Sequence, residues 1–177
     1  MIYALEMFFD INTERKIMNY YTDIKENGIS SYLLDIENIP HITIGVFNDI
    51  DLDRTNETLK VYCSKIEKFK IRFGSIGIFT QPKSCVFIAP DITGKFIELH
   101  KSLHQAFNYC FAQGFEYYLP DKWIPHCAVD ISNDINVVCR STEYLIKTFK
   151  PFEALITHIG WVEVQKPIKI LDQIELI

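Results

Sequence analysis

Residues 40–44 read Pro-His-Ile-Thr-Ile, and residues 125–129 read Pro-His-Cys-Ala-Val. In both stretches a histidine follows a proline and opens a short run of apolar, mostly β-branched residues, which is the composition of a buried strand. Side chains two apart on a strand point the same way, so the pattern predicts that His41 and Thr43 share a face. Two imidazoles in matched settings indicate a two-histidine site.

The hydrophobic pattern outward from these stretches predicts alternating strands and helices. Strands are predicted at 3–9, 31–36, 41–47, 70–80, 85–89, 153–164 and 168–177, with a further strand opened by His126. Helices are predicted at 11–27, 55–69, 92–111 and 136–149, and an aromatic-rich loop at 114–124. This order is typical of the α+β class.

The order of elements repeats in the second half of the chain. The predicted architecture is therefore one bilobal domain over residues 1–177, with repeats at about 1–80 and about 82–165 and a C-terminal strand at 168–177. The lobes are predicted to be antiparallel sheets with packed helices, related by a pseudo-twofold axis, with the two histidine strands facing each other across a groove. The landmarks are Asp10-Ile11 with Asp91-Ile92 (offset 81), Pro40-His41 with Pro125-His126 (85), 48–50 with 133–135 (85), and 75–77 with 158–160 (83).

Length and composition indicate a soluble protein with a sizeable core. The chain has 177 residues, of which 48% are hydrophobic and 23% charged. No segment approaches the roughly 20 uncharged apolar residues of a membrane helix. The apolar N-terminus carries Glu6 inside the run and lacks a basic lead, so it is predicted to be a first strand and not a signal peptide.

Cysteine spacing and net charge restrict the kinds of binding site and the cellular compartment that the sequence predicts. The five cysteines are odd in number and never in C-x-x-C spacing, which predicts neither a disulfide framework nor a zinc site and favours a reducing cytoplasm. A net charge of -5 argues against broad, non-specific nucleic-acid binding, because such binding rests on many basic contacts to phosphate. A short or terminal phosphate substrate needs only a few positive groups.

The paired motifs, the repeat, and Trp123-Ile124-Pro125-His126-Cys127 ahead of the second strand resemble the two-histidine (2H) phosphoesterase superfamily over essentially the whole chain. That superfamily includes the bacterial 2'-5' RNA ligase-like proteins and RNA 2',3'-cyclic phosphodiesterases. The resemblance implies metal-free and cofactor-free action on a ribose 2',3'-cyclic phosphate or a 2'-5' phosphodiester, in an RNA end or a small nucleotide. It also implies that His41 and His126 exchange protons and that Thr43 binds a phosphate oxygen.

The residue types suit that chemistry independently of the resemblance. In-line displacement at phosphorus needs a base and an acid on opposite sides, and imidazole titrates near neutral pH. A pair of histidines can supply both roles, one neutral and one charged. The sequence leaves open which histidine is the base.

One position departs from the family pattern, since Ala128 stands where the second motif carries Thr or Ser. Candidate substitutes for the missing hydroxyl are the strand's backbone amides, Tyr118, Lys122 and His158. A weaker enzyme, an enzyme with a substitute donor, and a non-catalytic nucleotide- or RNA-binding module remain open. So do a 2'-5' RNA ligase, a phosphodiesterase for an ADP-ribose derivative, and a partner-binding domain with structural histidines.

Other residues around the second motif have two interpretations. Tyr117, Tyr118 and Trp123 either stack a base or cover the core, and Lys122 beside the motif is a candidate phosphate contact. His100 and His104 have the i, i+4 spacing of metal ligands, but the catalytic Glu of H-E-x-x-H and a third ligand are lacking. Packing roles are therefore favoured, no metal site is predicted, and the protein is expected to be a monomer without DNA or membrane partners.

Overall fold

The computed structural model describes the backbone of residues 1–177 and the side chains of 1–110 and 114–177. Within this part of the chain, seven antiparallel strands and five α-helices confirm the predicted α+β class. The strands are β1 (Ile2–Phe9), β2 (His41–Asn48), β3 (Phe69–Phe79), β4 (Ser84–Pro90), β5 (Cys127–Ser132), β6 (Phe152–Glu163) and β7 (Lys169–Glu175). The helices are α1 (Ile11–Glu26), α2 (Tyr32–Asp35), α3 (Leu52–Cys63), α4 (Gly94–Ala106) and α5 (Ile135–Thr148), with 3-10 helices at Asn108–Gln113 and Glu116–Tyr118.

The strands form one continuous sheet in the order β2-β1-β6-β3-β4-β5, with β7 paired to β6. The halves join where Phe69–Phe73 of β3 pairs with Phe152–Ile156 of β6, and there Ile71 lies opposite Ala154, its counterpart at the offset of 83. The end strands β2 and β5 contact each other. The sheet therefore curves until the two histidine motifs, at opposite ends of the strand order, become neighbours.

The irregularities of strand pairing recur in both halves of the sheet. The β1–β2 register shifts between Leu5 and Glu6, and the β4–β5 register shifts between Val86 and Phe87. These positions differ by the offset of 81 found between Asp10 and Asp91 in the sequence. The registers support the proposed internal repeat, and they make Glu6 and Phe87 counterparts.

The strand predicted at 31–36 is wrong, because these residues form the short helix α2. Leu33 is buried, and the Ser31 hydroxyl donates to the Asp35 carboxylate one turn later at 2.6 Å. An apolar run of this length has no periodicity that separates a strand from a helix, so the sequence pattern could not decide between them.

Two predicted helices are shorter than expected. α3 stops before the predicted end at 69 because the backbone of Ile66 and Lys68 bonds to the backbone of Ile177 at the C-terminus. These residues cannot pair with that segment and also continue a helix. The predicted helix at 92–111 divides into α4 and a 3-10 helix.

β2 is held from outside the sheet by α4 and by the loop before β5. The buried side chains of His100 and His104 place Nε2 at 3.1 and 3.4 Å from the Ile44 carbonyl oxygen. The His100 ring stacks on Trp123 with a centroid separation of 3.7 Å, and the indole N–H of Trp123 donates to the Thr43 carbonyl at 2.9 Å. Two successive carbonyls of the first motif are therefore fixed by buried groups.

These buried histidines make stability depend on pH. Burial lowers the pKa of His100 to about 3 and that of His104 to about 4. An unfolded histidine takes up a proton near pH 6.5, so below that pH the unfolded state binds more protons than the native state. Their contribution to the free energy of unfolding should be complete above about pH 6.5 and fall by about 3 kcal/mol or more by pH 4, as measured by urea unfolding.

The His100→Gln variant provides the control for this assignment. It removes one titrating imidazole, while the amide can still donate toward the Ile44 carbonyl that His100 contacts. Between about pH 6.5 and 5, above most carboxylate titration, its free energy of unfolding should fall less steeply than that of the wild type. An unchanged slope would contradict the role given to His100.

Close approach of β7 to β6 requires glycine at position 160. A Cβ at Gly160 would lie 2.2 Å from the backbone oxygen of Asp172, whereas a Cβ at Gly94 meets nothing within 4 Å. Gly160→Ala should lower the free energy of unfolding by about 1–3 kcal/mol, because β7 must shift. The matched Gly94→Ala variant should leave stability unchanged or raise it by up to about 1 kcal/mol. Equal urea midpoints for the two variants would refute this account.

Candidate active site

The two motif histidines are held in the same way. Nδ1 of His41 lies 2.7 Å from the carbonyl oxygen of Ile39, and Nδ1 of His126 lies 2.8 Å from that of Ile124. A carbonyl oxygen only accepts, so each Nδ1 carries a hydrogen and donates it. In both residues Nε2 is therefore the nitrogen that remains for proton transfer.

The two motif histidines interact electrostatically. Burial lowers the pKa of His126, and the positive charge of His41 lowers it further. The thiol of Cys127, directly after the second histidine, interacts with the backbone N–H of His41. The contact between β2 and β5 thus brings the two motifs together.

The carboxylate of Glu6 on β1 lies beside the ring of His41. Its carboxylate oxygen Oε1 lies 3.3 Å from Nε2 of His41, and its side chain is only 7% exposed. Burial raises the pKa of Glu6, whereas the charge of His41 lowers it. Glu6 also lies opposite Thr43 in the β1–β2 pairing, so these three side chains share one face of the sheet.

The surroundings of His126 are apolar instead. The ring centroids of Phe79 and Phe87 lie 4.7 and 5.2 Å from the centroid of His126. Phe87 is the counterpart of Glu6, and in the β4–β5 pairing it lies opposite Ala128. One half of the site is therefore polar and the other half is lined by aromatic rings and a methyl group.

Tyr118 lies at the end of the 3-10 helix before β5 and is electrostatically coupled to Glu6 and Cys85. Burial raises the pKa of Tyr118 to about 12, with smaller contributions from the Glu6 carboxylate and the Cys85 thiol. The phenol therefore keeps its proton at neutral pH and is a hydrogen-bond donor. Its two electrostatic partners, Glu6 on β1 and Cys85 on β4, belong to the two halves of the sheet.

Two other sequence-predicted residues have partners other than the two motif histidines. Trp123 is buried beneath β2, where it acts on the backbone of Thr43 and offers no exposed face for stacking. Lys122 is exposed and forms an ion pair with Glu116. The predicted phosphate contact of Lys122 would require it to leave that partner.

His158 lies on β6, on the far side of β1 from the first motif. Its Nδ1 is 2.8 Å from the hydroxyl of Thr157. It lies opposite Phe8, and Phe8 in turn contacts His41 edge-on at 6.4 Å between ring centroids. Phe8 therefore separates His158 from the first motif histidine.

Three residues of the site were missed by the sequence reasoning, namely Glu6, Phe79 and Phe87. Glu6 carried a usable signal, because a single acid inside an otherwise apolar strand must have a partner when it is buried. The offset of 81 also aligns Glu6 with Phe87. Phe79 carried no such signal, because its contact with His126 depends on the curvature of the sheet.

Neither a clustered metal site nor a membrane-spanning helix occurs in the described structure. No three His, Cys, Asp or Glu side chains among residues 1–110 and 114–177 form a group that could hold a metal ion. The side chains of His100 and His104 are directed to the Ile44 carbonyl. Across the same residues, no helix has the length and apolar character needed to cross a membrane.

Solved structures resemble this fold over nearly its whole length. TT0787 of Thermus thermophilus has a TM-score of 0.67 at 11% identity, covering 99% of this chain and 98% of that chain. Escherichia coli LigT complexed with 3'-AMP has a TM-score of 0.60 at 13% identity, covering 98% and 97%. Usb1 of Kluyveromyces marxianus has a TM-score of 0.51 at 8% identity, covering 99% and 98%. At these identities the likeness shows a shared fold.

Comparison of the sequence with models of protein families identifies the family of the chain. No curated protein sequence matches the chain. The family model of the 2'-5' RNA ligase superfamily matches residues 36–166, which is more than half of the chain and includes both histidine motifs. The chain therefore belongs to the 2'-5' RNA ligase superfamily.

Proposed function

We propose that this protein is a metal-independent phosphoesterase that acts on a ribose 2',3'-cyclic phosphate or a 2'-5' phosphodiester of an RNA end or small nucleotide. The observation that carries the proposal is the matched geometry of His41 and His126. Each donates from Nδ1 to a carbonyl two residues earlier and keeps Nε2 for the substrate. The electrostatic coupling between the two rings supports a single site.

The proposed reaction divides proton transfer between the two Nε2 atoms. One imidazole takes the proton of the attacking water as the new phosphorus–oxygen bond forms. The other gives a proton to the ribose oxygen as its bond to phosphorus breaks. Because imidazole titrates near neutral pH, one ring can be neutral and the other charged in the same molecule.

Thr43 and Tyr118 are the proposed donors to the phosphate oxygens. Thr43 shares a face with His41, as expected for residues two apart on β2. Ala128 offers no hydroxyl on the other strand. The protonated phenol of Tyr118, which is electrostatically coupled to Glu6 and to Cys85, is the substitute donor in this proposal.

Structural neighbours support a nucleotide as substrate. Escherichia coli LigT, at 10–13% identity, has been solved in complexes with 3'-AMP, with ATP and with phosphate. A site for a nucleotide phosphate in the same fold is consistent with the proposed substrate class. A 2'-5' ligase activity would use the same two proton transfers in the reverse sense.

A second candidate is a non-catalytic nucleotide- or RNA-binding module. The observation that favours it is Ala128, because loss of one preorganised donor costs on the order of 10²–10³ in rate in other enzymes. Under this alternative the protein binds the cyclic phosphate without turnover. Turnover of a cyclic nucleotide distinguishes the enzyme from this binding module.

Replacement of either histidine should abolish most of the activity. We expect His41→Ala and His126→Ala each to lower kcat/KM for a 2',3'-cyclic nucleotide by on the order of 10²–10⁴-fold, because each removes one proton transfer. Hydrolysis of the nucleotide and of an oligoribonucleotide ending in a cyclic phosphate, with chelator present, measures this.

The control is His158→Ala, since Phe8 separates His158 from the first motif. This variant should keep activity within a few fold of the wild type. Activity that requires a metal, or that survives both motif substitutions, would refute the mechanism. Tight nucleotide binding by the wild type without turnover would favour the binding module.

The role of Tyr118 can be tested against its neighbour. Tyr118→Phe should lower kcat/KM by on the order of 10²-fold if its hydroxyl replaces the missing donor. Tyr117→Phe is the matched control, because Tyr117 is 65% exposed, and it should leave the rate unchanged. Steady-state kinetics with the cyclic nucleotide measures both.

Restoring the missing hydroxyl refines this prediction. In an Ala128→Thr background the penalty of Tyr118→Phe should shrink, because a second donor then serves the same phosphate. A full penalty in that background, or an equal loss in the Tyr117 variant, would show that Tyr118 does not substitute for the missing hydroxyl.

A further inference from the structure

The two halves of the site differ at the residue beside each histidine, Glu6 in one half and Phe87 in the other. We propose that Glu6 fixes the roles of the two histidines, so that His41 holds the proton and acts as the acid while His126 acts as the base. This inference rests on the proposed function and adds the direction of proton transfer to it.

The two ring nitrogens of His41 face different neighbours. Nδ1 faces the Ile39 carbonyl at 2.7 Å and Nε2 faces the Glu6 carboxylate at 3.3 Å, so both neighbours are acceptors. A neutral imidazole has a single N–H and can satisfy one of them. The imidazolium keeps the bond to the Ile39 carbonyl, and its positive charge neutralises a carboxylate that would otherwise be buried without a partner.

The contact with Glu6 leaves the Nε2 proton available. At 3.3 Å the contact is longer than the roughly 2.7–2.9 Å of an aligned charge-assisted hydrogen bond. A carboxylate to one side of the ring stabilises the imidazolium while the N–H can point at a leaving oxygen.

His126 lacks any such partner among the described side chains. Phe79 and Phe87 pack against its ring and supply no charge to stabilise an imidazolium. Burial and the charge of His41 both disfavour the protonated form. With Nδ1–H donated to the Ile124 carbonyl, the neutral ring carries its lone pair on Nε2, as a base requires.

The other titratable groups facing His41 do not compete with Glu6. Tyr118 approaches from the 3-10 helix and Cys127 from β5, and burial raises the pKa of each to about 12, so both are neutral near pH 7. The remaining group is His126 on β5, which faces His41 in turn. Among the described groups at the site, Glu6 is thus the source of negative charge.

The assigned roles give a balanced step. Water attacks phosphorus and gives its proton to Nε2 of His126, and the phosphorus–oxygen bond to the ribose breaks as that oxygen takes the Nε2 proton of His41. The bond formed and the bond broken are both phosphorus–oxygen bonds. His126 gains one proton from water as His41 gives one to the ribose oxygen. Exchange of one proton each with solvent resets the two rings.

The test is the pH dependence of kcat/KM in Glu6→Gln, which keeps the shape and removes the charge. The acidic limb of the profile reports protonation of the base, and the alkaline limb reports deprotonation of the acid. Because Glu6 contacts His41, the limb that moves in this variant shows which role His41 has. We expect the alkaline limb to move down by about one pH unit or more, since the protonated acid loses its counter-charge, while the acidic limb stays in place. The matched control is Glu57→Gln on the exposed surface of α3, which should reproduce the wild-type profile.

Two outcomes would overturn the inference. Movement of the acidic limb to lower pH would make His41 the base, and an unchanged profile would give Glu6 no influence on proton transfer. Either result, with His41→Ala and His126→Ala still inactive, refutes the assignment and leaves the phosphoesterase proposal standing.

Proton NMR titration of the imidazole Cε1–H signals gives a measurement that needs no turnover and no folded Glu6 variant. The signals can be assigned with the His41→Ala and His126→Ala proteins. In the wild type, His126 should lose its proton at lower pH than His41. The reverse order would overturn the inference even in a fully active enzyme.

Discussion

The site depends on one hydrogen bond made twice, from Nδ1 of a motif histidine to the carbonyl two residues earlier. The intervening proline restricts the backbone that presents this carbonyl. The bond fixes the tautomer and the ring plane, so that Nε2 is the reactive atom in each strand. Without it, two imidazoles in one site would have no defined proton-transfer geometry.

The rest of the fold brings these two units together and keeps them rigid. β2 and β5 lie at opposite ends of the strand order and meet through the curvature of the sheet. Behind β2, the stacked rings of His100 and Trp123 hold the backbone of the first motif. That support keeps the first imidazole in place at the expense of stability in acid.

Strands and helices with a regular hydrophobic pattern could be predicted from the sequence, whereas contacts that depend on the curvature of the sheet could not. The motif strands followed from their apolar, mostly β-branched composition, and most of the helices from apolar periodicity. The short helix α2 did not, because four residues carry no period. Within the site, Thr43 followed from its spacing to His41, whereas Phe79 belongs to a strand that the sequence gives no reason to place beside His126.

Two matched motifs supply two equivalent imidazoles, but acid–base chemistry needs two different ones. The structure differs between its halves at two positions beside the histidines, Glu6 against Phe87 and Thr43 against Ala128, and in both the second half is the apolar one. A hydroxyl at 128 would add a polar group beside the ring that the proposed mechanism requires to stay neutral. The departure at Ala128 is therefore consistent with a site in which one half holds charge and the other excludes it.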